Sequence, residues 1–325
     1  MTLHGLALLC VMFGLLLATL DLGLAALTPF LLGRLRTFAP SRRATAILMV
    51  RFAPVLSAVA LTLLVVVPSW WRFEPIETGE TASMALLAFA GLALLPVLQG
   101  LYRGARMFVK TRDRLLLWRG RGRHAACVQA PFEVVEVKSA DLALCVGGYL
   151  QPTIYASTDV ITLLEPEEFS AALAHEVSHA SARDPLRLLL MGSCPDYLQL
   201  FRLDHAWRRA FSTACEFAAD AGASRGNPEV ALDLASALLK VARLRSFKPL
   251  TAEALADVAV SSAFSSRVEL EARVEALADP PEAFSSASRL HPWVFAAALL
   301  ALCAASTFAY ESVHALTEDV GWFLS

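Results

Sequence analysis

Charge is scarce in this chain. Only 18% of its 325 residues are Asp, Glu, Lys or Arg, against 56% hydrophobic. The mean hydropathy is +0.54, which excludes an ordinary soluble domain. Cysteine is sparse too: Cys10, Cys127, Cys145, Cys194, Cys215 and Cys303 lie scattered, with no C-x-x-C pair, and no disulfides are expected. No internal repeat is visible. No basic segment precedes the first apolar run and no clear small-residue cleavage site follows it, so a signal peptide is set aside.

What is present is long and apolar. Residues 3–32 carry one charge, Asp21, and residues 44–71 carry one, Arg51. Residues 82–102 and 292–310 carry none. Each run can cross ~30 Å of hydrocarbon at ~1.5 Å per residue. The expected organisation is three transmembrane helices in residues 1–102, a polar domain at 103–290, and a fourth transmembrane helix with a short tail at 291–325. Asp21 and Arg51 are expected at different depths, with Arg51 snorkelling toward the cytoplasm.

The net charge of −2 hides an asymmetry. Arg34, Arg36, Arg42 and Arg43 follow the first run, and eight basic residues crowd 103–123. Acidic residues dominate the other two flanks. Positive loops remain cytoplasmic, so the chain is expected as a multi-pass protein of the inner (cytoplasmic) membrane. Both termini lie outside and the polar domain inside. Juxtamembrane arginines beside anionic lipid account for the basic run, so no nucleic-acid partner is expected.

Within the polar domain, residues 108–123 read as a basic helix. Residues 125–128, 133–137, 142–146 and 153–157 read as strands of a small antiparallel sheet. Pro166 with Glu167 and Glu168 opens a helix expected to run to about 183. Residues 186–201 are apolar but broken by Gly192 and Pro195-Asp196, and suggest a buried helical hairpin. Helices follow at 204–222, 228–244 and 266–277. Ser-rich linkers stand at 261–266 and 285–288.

The chemistry concentrates in A-H-E-V-S-H at 174–179. His175 and His179 are four residues apart, so their imidazoles leave one helix face and can grip one ion. Glu176 is offset by about 100°, the place of a carboxylate that meets water instead of the metal. A third ligand is needed, and C-E-F-A-A-D at 215–220 offers Glu216, with Asp220 four residues on. Glu216 is the candidate third ligand to one Zn2+ per chain. Asp220 is the candidate acceptor for a ligating histidine's free N–H. The small and apolar neighbours of this pair imply a buried helix, where a carboxylate needs a partner. Asp184 is a candidate for the turn or for a supporting contact. His205 is a candidate oxyanion stabiliser. Leu144, Cys145, Val146 and Gly147 form a candidate edge for an extended peptide substrate.

The layout resembles the integral-membrane zinc metallopeptidases of the BlaR/MecR antirepressor type, with kinship to the HtpX and CAAX-processing peptidases. G-G-Y-L-Q-P-T-I-Y-A-S at 147–157, L-L-E-P-E-E-F at 163–169, A-L-A-H-E-V-S-H at 172–179, E-F-A-A-D at 216–220 and E-A-R-V-E-A-L at 271–277 carry the likeness. It implies a zincin-like domain, inserted in a four-helix transmembrane bundle, with His175, His179 and Glu216 as zinc ligands. It also implies Glu176 as catalytic base, Asp220 behind the ligands and Arg273 bracing the site. Ala219 stands where the antirepressor group often has cysteine, which leans toward the HtpX-like side. No β-lactam-binding domain is expected in this chain. The expected function is a membrane zinc endopeptidase acting on a cytoplasmic or membrane protein, in signalling or in quality control. The alternative is a non-catalytic signalling or scaffold protein with a structural zinc site.

Overall fold

The computed structural model describes residues 3–73, 82–124, 130–139, 142–198, 203–247, 261–262, 267–279 and 310–324. Among the described residues, three helices are long and apolar enough to cross a membrane: Leu3–Leu35 (α1), Pro40–Arg72, and Met84–Arg121 (α4). The second is Pro40–Leu61 (α2) and Val67–Phe73 (α3), joined by a π-turn at Thr62–Val66. α1 and α4 cross closely at Gly14, where an added Cβ would meet Ala93 Cβ at 2.3 Å. The expected fourth membrane run falls almost wholly on 292–309, outside the described residues. The short helix after it, Tyr310–Leu324 (α11), packs its Val320 near Ala7, Leu8 and Val66.

α4 corrects one expectation. The third apolar run and the basic segment after it are one helix of 38 residues, about 57 Å long. Ser83 caps it, its hydroxyl accepting from the Leu86 N–H at 3.0 Å. Side-chain composition changes midway, but the helix continues through the change, with Pro96 inside its apolar part.

The sheet corrects another. It has five strands: Gly122–His124 (β1), Val134–Val137 (β2), Leu144–Gly147 (β3), Thr153–Ser157 (β4) and Ser261–Ser262 (β5), in the order β1-β2-β4-β3-β5. β2 pairs with β4 in parallel, Val134 opposite Ile154, so the sheet is mixed and not antiparallel throughout. β3 and β4 form a hairpin whose second strand is inserted beside β2. Alternating hydrophobicity specifies faces, not partners, so this order is not written locally. The expected strand at 125–128 and the linker at 285–288 lie outside the described residues.

The helices of the polar domain are Thr158–Leu163 (α5), Pro166–Ala182 (α6), Asp184–Ser193 (α7), Asp204–Ser224 (α8), Pro228–Phe247 (α9) and Arg267–Ala278 (α10). α6 lies on the sheet through Leu173 and Ala180, against Val134, Val146 and Ile154. Its other side meets α9, where Ala171 joins Ala231, Leu234 and Leu238. A separate core joins the membrane helices to the domain: Leu24, Leu35, Ala44 and Ile47 pack with Met191, Trp207, Phe211 and Cys215. Burying such side chains contributes about 1.5–3 kcal/mol each.

After α7 the chain leaves helical geometry at Cys194–Asp196, so residues 186–198 form one helix and an extended turn. That turn packs against the membrane helices. An added Cβ at Gly100 would meet the Ser193 carbonyl oxygen at 2.5 Å. Arg51 is buried inside the protein. It is 1% exposed, and its Nη2 donates to Asp196 Oδ2 at 2.5 Å and to Asp204 Oδ1 at 2.9 Å. Asp21 reaches the same turn, its Oδ2 accepting from the Tyr197 N–H at 2.8 Å. The two charges therefore converge on one segment instead of standing at separate depths.

Candidate metal centre

α6 is fixed at its start. Glu168 Oε2 accepts from the Glu165 N–H at 2.9 Å, half of a capping box. Glu168 is also held by Ser236 and Lys240 of α9, at 2.6 and 2.7 Å. The helix ends at Arg183, whose φ of 54° lies in the left-handed region. That reversal, with Pro185 following, starts α7 at once and folds Asp184 back over the last turn of α6. Asp184 Oδ2 then lies 2.7 Å from His179 Nδ1. Arg187, one turn on, holds the other oxygen by donating from Nη1 at 2.9 Å.

α8 crosses α6 closely. At Gly222 an added Cβ would meet Ser178 Oγ at 2.6 Å. This approach brings Glu216 and Asp220 to the histidines. Asp220 Oδ1 lies 2.9 Å from His175 Nδ1. Glu216 Oε2 is 3.6 Å from His175 Nε2, and Oε1 is 3.5 Å from His179 Nε2. The two Nε2 atoms are 3.1 Å apart. Ligand atoms of His175, His179 and Glu216 all lie within 4.8 Å of one another, and all three residues are buried.

Arg273 of α10 closes the back of the cluster. It is 0% exposed and donates from Nε and Nη2 to the two oxygens of Asp220, at 2.8 and 2.7 Å. Its Nη1 meets Glu216 Oε2 at 2.8 Å. Glu216 Oε1 is left facing the imidazoles.

The charges shift accordingly. Burial pulls the His179 imidazole down, but the Glu216 charge and the Asp184 contact override it and push it up to about 10. His175 is raised too, its burial outweighed by Asp220 and Glu216. Burial would raise Glu216, yet Arg273 and His179 hold it well below the usual carboxylate range. Asp220 is lowered against its burial by Arg273. Glu176 goes the other way: burial raises it, and the neighbouring histidines only partly oppose this.

These residues fit a divalent cation. Each imidazole turns Nδ1 to a carboxylate and Nε2 inward. Two lone pairs at 3.1 Å, with a carboxylate beside them, repel unless a cation or protons lie between them. Glu176 is 1% exposed, and its Oε2 has no hydrogen-bond partner among the described residues. A buried carboxylate oxygen so placed calls for water or substrate. An apolar pocket opens beside it, lined by Leu144, Val160, Leu164, Ala172, Leu238 and Val241 together with His175 and Glu176.

The structure thus brings together His175, Glu176, His179, Glu216, Asp220, Asp184 and Arg273. It does not bring His205 to them. That residue is exposed in the first turn of α8, about 16 Å along the helix from Glu216. The expected peptide edge is divided. Leu144 lines the pocket, but Cys145 and Val146 already pair with Ser262 and Ser261 of β5, so the strand is not open along its length. Arg187, which the sequence alone did not mark, holds Asp184. Its only linear signal is the three-residue spacing.

No curated protein and no solved structure matches the chain. Three apolar helices thus adjoin a cluster of two histidines and a glutamate, and residues 122–280, which hold that cluster, match the model of Peptidase family M48.

Proposed function

We propose that the protein is a membrane-embedded zinc endopeptidase that hydrolyses peptide bonds of a cytoplasmic or membrane protein. The observation that carries this reading is the convergence of His175, His179 and Glu216 beside a buried Glu176 oxygen without a partner. A zinc ion held by those three residues would supply Lewis acidity, polarising the scissile carbonyl and making water acidic near neutral pH.

The chain's own groups do the rest. Glu176, whose carboxyl burial raises above the usual carboxylate range, takes the proton of the attacking water and returns it to the departing amine. Asp220 and Asp184 keep the imidazole protons on Nδ1 and fix both rings. Arg273 holds Glu216 by one oxygen and balances its charge against Asp220. The apolar pocket would seat an apolar substrate side chain near the scissile bond. Leu144 and Gly147, at the ends of β3, remain the part of that strand able to guide an extended chain. The polar domain, with boundaries near 103 and 290, would face the cytoplasm, following the arginine-rich loops.

The test compares cells expressing the wild type and Glu176→Gln. Both purified proteins should carry about one zinc per chain, and new protein N-termini should appear only with the wild type, because losing the base costs about 10²–10⁴ in rate. Identical N-termini in the two cultures would remove the endopeptidase reading.

A further inference from the structure

The ligands come from two helices whose mutual placement is not set by their connection. α6 supplies His175 and His179 and α8 supplies Glu216, with α7 and the turn after it between them. We propose that Arg51, inside the second membrane helix, is a positioning residue of this metal centre. It fixes α8 so that Glu216 meets the histidine pair. This rests on the metal-centre reading above.

Arg51 bonds both ends of the connection. One nitrogen, Nη2, lies between Asp196, in the turn after α7, and Asp204, the first residue of α8. The guanidinium is 1% exposed, Asp196 2% and Asp204 7%. Glu216 stands twelve residues beyond Asp204 on one unbroken helix, about 18 Å along its axis. A helix carries a shift or rotation of its first turn to its fourth, so the Arg51 contact sets where the Glu216 carboxylate arrives.

The same membrane helix reaches the histidine side. Thr45, six residues before Arg51, accepts from Arg187 Nη2 at 3.2 Å. Arg187 Nη1 holds Asp184, and Asp184 faces His179 Nδ1. Between these two ties, Ala44 and Ile47 of α2 pack in one core with Phe211, Ala214 and Cys215, the last being next to Glu216. α2 therefore touches the supports of both ligand-bearing helices. A buried charge inside an apolar helix is costly unless it is paired. Here the pairing ties the bundle to the metal helices.

The test uses full-length protein in detergent, stripped of metal and titrated with Co2+. Affinity is measured by competition with a chelator, and coordination by the visible absorption of bound cobalt. Arg51→Lys keeps a charge between the carboxylates and should bind within about threefold of wild type, whereas Arg51→Met should bind about tenfold more weakly with an altered band, the scale for a supporting contact. The triple variant Arg51→Met, Asp196→Asn, Asp204→Asn removes the guanidinium together with both carboxylates it bonds, so it separates positioning from the stranding of those two charges. It should fold and still bind Co2+ about tenfold more weakly. Wild-type affinity and band shape in the triple variant would overturn the proposal. So would failure of both methionine variants to fold, which would make the network a folding element only. Cobalt binding is read without substrate, so a protein that binds the ion and cleaves nothing would defeat the peptidase reading and leave this test intact.

Discussion

Replacing Arg273 with methionine asks what holds two carboxylates together in a buried site. The guanidinium contacts both oxygens of Asp220 and one of Glu216 at 2.7–2.8 Å, and none of it is exposed. Methionine fills much of the same volume but leaves both acids without their cation. Breaking a buried ion pair from one side costs about 3–5 kcal/mol, because the remaining charge is stranded. For a domain of about 160 residues, each kcal/mol moves the melting temperature by roughly 2–4 °C. The metal-free variant should therefore melt about 6–20 °C below wild type. The assay is thermal unfolding of full-length protein in detergent with a chelator present. Adding Glu216→Gln and Asp220→Asn to the variant should recover much of the loss, since no stranded charge remains. A melting point within about 2 °C of wild type for Arg273→Met alone would refute this account of the cluster.

Two further outcomes follow from the geometry. His179 is raised from its ordinary 6.5 to about 10, so its contribution to stability is fully present below 6.5 and is lost as pH rises through about 10. Melting of the chelated protein should fall across that window. Saturating zinc should flatten the dependence, because the ion takes the proton's place; an equally steep fall with zinc would contradict this. At the α1–α4 crossing, Gly14→Leu would drive a side chain into the Ala93 backbone, whose Cα already lies 2.9 Å from an added Cβ. A loss of about 1–3 kcal/mol is expected, read as a lower melting temperature in detergent.

The parts legible in the sequence are those with local periodicity. His175 and His179 declare a shared helix face, and Glu216 and Asp220 repeat the same spacing among small residues. Asp184 was ambiguous because its contact depends on a left-handed Arg183, a conformation that no glycine announces at that position. The mixed sheet was hidden because β2 and β4 are brought together by an intervening hairpin. The partners of Arg51 are hidden for a different reason. Its acidic partners stand 145 and 153 residues away, so a linear scan sees a lone charge in an apolar run and supplies the surface as its destination. His205 carried the right chemistry on the right helix but at the wrong end of it.

The length of α4 has a mechanical side. A rod of about 57 Å, bearing apolar residues at one end and feeding directly into β1 at the other, has no slack in it. A tilt of this helix carries β1 with it, where a loose tether would have absorbed the motion. The sheet beneath the metal centre is in this way joined to the apolar helices by a continuous helix and not by a loop.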